Sequence, residues 1–244
     1  MYYFYNMYDF RYVTKKEAAT LKKEVIKLLC LVQNEVRRYF TFRFDAVGSS
    51  SRNMITCDRN GNIGFDFDFN IEPNDPEGNY NPYEMRTIIF NAIDRHMRTF
   101  GYSKIENSTS VITIKAIDYP NSRIKYSCDF AIVHHYNENG KKMQEYIEFD
   151  KYFNRYNWKK RGKDFYIAGK INWLKKNGYW NELRDSYIDM KNKNHDPDKH
   201  SRSILAESVN DMYQKYHNDK GDSKAGYYFA TVRRWRTSVF TKNT

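Results

Sequence analysis

Eight residues, Gly64-Phe65-Asp66-Phe67-Asp68-Phe69-Asn70-Ile71, alternate apolar and polar side chains almost without a break. A period of two is the mark of a β-strand with one buried face, because successive side chains point to opposite sides. Phe65, Phe67, Phe69 and Ile71 therefore demand a core on one side. Asp66, Asp68 and Asn70 are left together on the other, with the two aspartate Cα atoms about 6.7 Å apart from the strand rise. Two carboxylates on one strand face cost stability, since like charges repel and Asp is depleted in strands. A hard divalent cation such as Mg2+ relieves that cost by binding carboxylate oxygens. Taken alone, the pattern is equally an exposed sheet face with incidental aspartates.

A third carboxylate stands in a similar setting. In Arg123-Ile124-Lys125-Tyr126-Ser127-Cys128-Asp129-Phe130-Ala131-Ile132-Val133, Asp129 interrupts an increasingly apolar strand. Asp is seldom buried without a partner. If this strand lies beside the Asp66 strand, Asp129 completes a three-carboxylate cluster of the kind that holds two metals roughly 3.5–4 Å apart for in-line phosphoryl transfer. Otherwise an arginine or backbone N–H groups satisfy it. Upstream, Val47-Gly48-Ser49-Ser50-Ser51-Arg52 sits between a strand and a short helix start. Glycine permits close backbone approach, and N–H groups with serine hydroxyls suit a phosphate. No Walker pattern follows, and an ordinary serine-rich turn reads the same way.

The organisation around these segments is α+β. Residues 14–38 read as a helix, with Thr14 as N-cap, Glu17 completing a capping box, and Leu21, Val25, Leu28, Leu29 and Val32 at helical spacing. Phe40–Val47 reads as a strand, Asn74–Pro82 as a loop and Tyr83–Phe100 as a helix closed by Gly101. Ser110–Ile117, Arg123–Val133 and Gln144–Phe149 read as further strands. Beyond residue 155 the pattern turns helical, with Ile167–Lys176, Trp180–Met190 and Ser203–Tyr216 as helices, and Tyr227–Val232 alternates again. The division expected is a mixed-sheet module over 1–150 and a mainly helical module over 151–244.

Together these elements resemble the polymerase-β-like nucleotidyltransferase superfamily. The order is a strand ending in Gly48-Ser49, an Asp66-Phe67-Asp68 strand, and Asp129 on a later strand. A helix before Gly48 and another between the second and third motifs agree with it, and the resemblance covers roughly residues 14–150. It implies that Gly48 and Ser49 hold the triphosphate of an NTP such as ATP, with Ser50 and Arg52 as further contacts. It also implies that Asp66 and Asp68 bind two Mg2+ or Mn2+ ions, and that Asp129 joins the metal activating the acceptor hydroxyl. The eighteen positions between Gly48 and Asp66 exceed the gap in compact members, and Thr56–Ile63 reads as an inserted hairpin extending the second strand. The architecture looks most like the oligoadenylate synthase and bacterial cyclic-oligonucleotide synthase branch. It is also similar to small transferases that modify RNA or antibiotics.

Charge bears on the partner. The chain carries 41 Lys+Arg against 30 Asp+Glu, and the whole +11 lies in residues 151–244, since residues 1–150 hold 20 of each sign. Such asymmetry points to a polyanion. Tyr152–Tyr166 interleaves aromatics with Lys159, Lys160, Arg161 and Lys163, a mixture suited to bases and phosphates and equally to an amphipathic helix. Arg233, Arg234 and Arg236 around Trp235 are similar. The three cysteines, Cys30, Cys57 and Cys128, are too scattered for a disulfide framework or zinc site, Cys128 reading as a core thiol. His134 and His135 point to opposite strand faces, and His195 and His200 lie in a charged loop. No signal peptide or membrane span is visible, which makes the cytoplasm the simplest setting. The expected activity is transfer of an NMP from an NTP to a hydroxyl of a nucleotide or RNA, releasing pyrophosphate. An antibiotic acceptor, or nucleic-acid binding without catalysis, are the alternatives.

Overall fold

Helix α1, Lys15–Val36, starts where its cap is chemically complete. The Thr14 hydroxyl accepts the Glu17 N–H at 3.2 Å and the Glu17 carboxylate accepts the Thr14 N–H at 2.8 Å, a reciprocal pairing that satisfies two otherwise orphaned donors. The same device opens α3, Pro82–Met97, with Asn81 as N-cap and Glu84 as its partner, Pro82 pre-setting the first helical residue. The computed structural model describes residues 8–161, 165–196 and 198–218. The expected 227–232 strand, the Arg233–Arg236 cluster, Lys163 and the first six residues lie outside the described residues.

Between the helices runs a mixed sheet. Strands β2 (Thr41–Val47), β4 (Ile63–Asn74), β5 (Lys104–Asn107), β6 (Ile112–Asp118) and β7 (Arg123–Glu138) lie in the order β2-β4-β7-β6-β5. The β4–β7 pair is parallel and the other neighbours are antiparallel. One face of the sheet is apolar. Phe67, Phe69, Ile71, Ile112, Ile114, Cys128, Phe130 and Ile132 are buried there, against Val25, Leu28, Leu29 and Val32 of α1 and Ile89, Ala92 and Ile93 of α3. Each large side chain so buried contributes about 1.5–3 kcal/mol. The face carrying Asp66 is left out of this core.

Four segments differ from the sequence reading. Arg155–Lys160 is a strand, β9, not the start of a helical region: it pairs with β8 (Lys141–Asp150), which pairs with the far half of β7. Its aromatics, Tyr156 and Trp158, are two apart, so both point into the core and fit a strand's period rather than a helix's. The Thr56–Ile63 segment is not a hairpin extending β4. Strand β3 (Thr56–Asp58) pairs instead with β1 (Phe10–Tyr12), which the sequence reading left out. Strand β5, four residues long and partly polar, likewise carries no alternation that marks it in the sequence.

The chain divides into two compact units, Met1–Lys163 and Asp164–Thr244. In the second, α4 (Phe165–Lys176), α5 (Trp180–Asn192) and α6 (Ser201–Asn218) enclose a separate core of Ile171, Leu174, Leu183, Val209 and Met212. No helix among the described residues is long and apolar enough to cross a membrane.

Arg86 of α3 is the buried polar hub of the first unit. It is 1% exposed and donates to Asn107 Oδ1 (2.7 Å), Ser108 O (2.6 Å), Val111 O (2.9 Å) and Ile147 O (3.4 Å). Its guanidinium also lies 5.1 Å from the Tyr156 ring centroid. Arg86→Met should therefore leave buried carbonyls without donors and cost about 3 kcal/mol or more. Urea unfolding checks this, and an unchanged midpoint would remove Arg86 from that role.

Candidate functional site

The sheet register brings the carboxylates together. On the parallel β4–β7 pair, Asp68 stands opposite Asp129 and Asp66 opposite Ser127. Alternation then puts Asp66, Asp68 and Asp129 on one face, the one opposite the helix-covered core. Val47, the last residue of β2, is the antiparallel partner of Asp68. The Gly48 turn is thereby set beside that carboxylate. Gly48 has φ +62°, and a Cβ built on it would collide with the Asp68 carboxylate. Only glycine meets both the left-handed backbone and the close approach.

Each carboxylate is engaged differently. The Thr113 hydroxyl of β6 donates to Asp129 Oδ1 at 2.6 Å, and the Ser127 hydroxyl donates to Asp66 Oδ1. Burial, then the charge of Asp129, pushes the Asp68 carboxyl up to about 6, while the Arg161 guanidinium and the Ser49 backbone N–H pull the other way. Burial also raises Asp129, opposed by the Thr113 hydroxyl and by Lys115. Asp68 and Asp129 thus form a partly buried pair of acids whose charges destabilise each other. Neither Thr113 nor Ser127 was singled out from the sequence. The signal that finds them is register, since they are the cross-strand neighbours of Asp129 and Asp66.

The turn residues separate by role. Helix α2 is short, Gly48–Arg52. The Ser50 hydroxyl is buried and turned back on Val47 O at 2.7 Å and Asp68 O at 3.3 Å, and the Ser51 hydroxyl donates to Gly48 O at 3.0 Å. Both therefore brace the turn. Ser49 places its backbone N–H on Asp68, and Arg52 is half-buried on the same short helix.

A divalent cation is tested by the donor set. Asp68 and Asp129 are hard oxygen donors, side by side, partly buried and raised in pKa by burial, the chemistry that such a cation suits. Asp66 is drawn to Ser127, and no group of three His, Cys, Asp or Glu side chains among the described residues is gathered tightly enough to hold a metal. The pair fits a cation. Asp66 lies on the same face, with one carboxylate oxygen taken by the Ser127 hydroxyl. The histidines lie elsewhere: His134 Nδ1 is 3.1 Å from Glu145 and His135 Nδ1 is 2.8 Å from Glu72. Cys128 points into the core, its thiol pushed well up by burial.

The positive charge is distributed unlike the expected basic helical module. Residues 151–163 carry six Lys or Arg and no acid, whereas residues 164–218 carry nine against eight. Within the described residues the excess therefore sits on β9 and its flanks.

No protein-family model matches the sequence, and no curated protein matches it. Among solved structures, the chain is similar to Vibrio cholerae DncV cyclic AMP-GMP synthase in complex with nonhydrolyzable GTP, at TM-score 0.53 and 16% identity over 80% of this chain and 55% of that one. A second structure of that enzyme, described as a prokaryotic cGAS homolog, gives TM-score 0.51 and 13% identity over 81% of this chain and 67% of that one. Elizabethkingia meningoseptica CdnE cyclic dinucleotide synthase with GTP and Apcpp gives TM-score 0.48 and 10% identity over 81% and 75%. The chain spans about half the length of the first of these. The likeness is one of fold alone.

The acid pair makes stability depend on pH. Folding raises the Asp68 pKa from 3.8 to about 6, so the folded chain holds that proton more tightly than the unfolded one. Stability from this group is therefore greatest in acid. It falls as pH rises between those values and stays reduced above them. Asp68→Asn should stabilise the metal-free protein by about 2–3 kcal/mol at pH 7 and by little at pH 4. Thermal melts at the two pH values check this, and an equal shift at both would exclude the linkage.

Proposed function

We propose that the protein transfers a nucleoside monophosphate from an NTP to a hydroxyl group, releasing pyrophosphate. The observation that carries this reading is the in-register pair of Asp68 and Asp129 beside a left-handed Gly48 turn, on the open face of this fold. The fold likeness to an enzyme crystallised with nonhydrolyzable GTP supports it.

In this reading Gly48 lets the triphosphate lie against the backbone, and Ser49 offers its hydroxyl there. Ser50 supports the turn from within, and Arg52 supplies a positive charge at its end. Asp68 and Asp129, joined by Asp66, would hold Mg2+ or Mn2+, as two ions in the full site. A cation held there would supply Lewis-acid chemistry, lowering the pKa of the acceptor hydroxyl and offsetting charge on the phosphoryl group. Thr113 fixes the Asp129 carboxylate through its 2.6 Å hydrogen bond, so that the outer oxygen keeps one orientation. Arg161, whose charge is felt at Asp68, favours polyphosphate over a cationic acceptor at the same face.

Incubation with each labelled NTP and Mg2+ or Mn2+, with and without RNA, tests the reading through pyrophosphate release. Asp66→Asn, Asp68→Asn and Asp129→Asn should each lower turnover at least about a hundredfold, as loss of electrostatic transition-state stabilisation does, with the circular dichroism spectrum unchanged. Turnover retained in Asp68→Asn or Asp129→Asn would overturn the assignment.

A further inference from the structure

The turn joining β8 to β9 holds large aromatic side chains outward. Tyr152 is 88% exposed and Phe153 60%, their rings meeting edge to face at 4.8 Å between centroids. The Arg155 guanidinium lies 4.9 Å from the Phe153 centroid. Asp150 Oδ1 accepts the N–H groups of both Tyr152 (2.9 Å) and Phe153 (3.1 Å), and Asn154 turns the chain with φ 50°. The backbone of the turn, not core packing, therefore presents the two rings to solvent.

The adjoining strand is one-sided in charge. Residues 151–163 hold six cations and no acid. Tyr156 and Trp158 pack on the core, so Arg155, Asn157, Lys159 and Arg161 share the opposite face. Successive members are about 6.7 Å apart, and the row runs about 20 Å along the strand. Arg161 lies over the Tyr146 ring, 5.4 Å from its centroid. Lys159 is held by Glu148 at 2.6 Å and, on the other face, Lys160 by Glu138 at 2.7 Å. Exposed pairs of this kind are weak enough for a polyanion to exchange.

We propose that the β8–β9 turn and the outer face of β9 bind single-stranded nucleic acid, with bases stacking on Tyr152 and Phe153 and phosphates following Arg155, Lys159 and Arg161. Aromatic faces next to a cationic line are what sequence-tolerant single-strand binding requires. A membrane-docking tip would gather its cations around the rings. Here Lys151 and Arg155 flank the rings, but Lys159 and Arg161 continue the line down the strand away from the tip, and the Asp150 carboxylate sits at the turn. The binding stands by itself; that the bound strand is the acceptor rests on the nucleotidyl-transfer reading.

Fluorescence anisotropy of a labelled oligouridylate with the full chain, without NTP or divalent cation, tests the binding apart from catalysis. Tyr152→Ala/Phe153→Ala should weaken it about tenfold or more, with the slope of log affinity against log salt unchanged. Arg155→Gln should flatten that slope by about 0.7, the loss of one phosphate contact. Both variants should keep the wild-type melting temperature and NTP affinity. Unaltered oligonucleotide affinity in the double variant, or binding to phosphatidylserine vesicles but not to the oligonucleotide, would overturn the proposal. If the oligonucleotide result fails while NTP turnover persists, only this inference falls. If the oligonucleotide binds and no NTP is turned over, only the catalytic reading does.

Discussion

The parallel register of β4 on β7 is the constraint on which the rest of the first unit depends. It sets Phe67 beside Cys128 and Phe69 beside Phe130 on the covered face, and in the same stroke Asp68 beside Asp129 on the open one. A slip of one residue would turn Asp129 into the core and Phe130 toward solvent, so the apolar packing enforces the acidic pairing. Gly64 helps to permit this approach, because a Cβ there would collide with the Lys125 carbonyl on β7. Hydrophobic burial on one side of the sheet thus sustains electrostatic repulsion on the other.

The same unit contains the device that steadies its basic strand. Tyr156 of β9 lies beneath the Arg86 guanidinium, packs 5.0 Å from Phe149, and takes a 3.0 Å hydrogen bond from Asn107. Since Arg86 also holds the carbonyls of Ser108, Val111 and Ile147, α3, the β5–β6 connection, β8 and β9 share one hub. With Tyr156 locked inward, Arg155, Asn157, Lys159 and Arg161 have no choice but the outer face. Acidic and basic features therefore belong to one compact unit, and the helical unit that follows is close to neutral over its described residues.

Much of this was legible in the chain itself. The capping box at Thr14, the helical spacing of Val25, Leu28, Leu29 and Val32, and the alternation at 64–71 are local properties, and the elements formed where they indicated. The order Gly48, Asp66, Asp68, Asp129 led to the fold by resemblance. In strand β9 the run of cations masks the period, and the two-residue spacing of Tyr156 and Trp158 is the signal that marks a strand. Strand β1 offered no such signal, and the hairpin read at Thr56–Ile63 did not show its partner: β1 and β3 are three residues each and are strands because they pair with each other.

The sequence by itself determined that Asp66 and Asp68 share a strand face, because alternation is a property of one strand. It also determined where positive charge exceeds negative. Only the tertiary structure decided that Asp129 stands next to Asp68, that Thr113 and Ser127 hold the outer acids, and that Ser50 turns inward to brace the Gly48 turn. Those relations join residues between three and sixty-one positions apart, and strand register is set by the sum of packing across the whole sheet rather than by any segment of it.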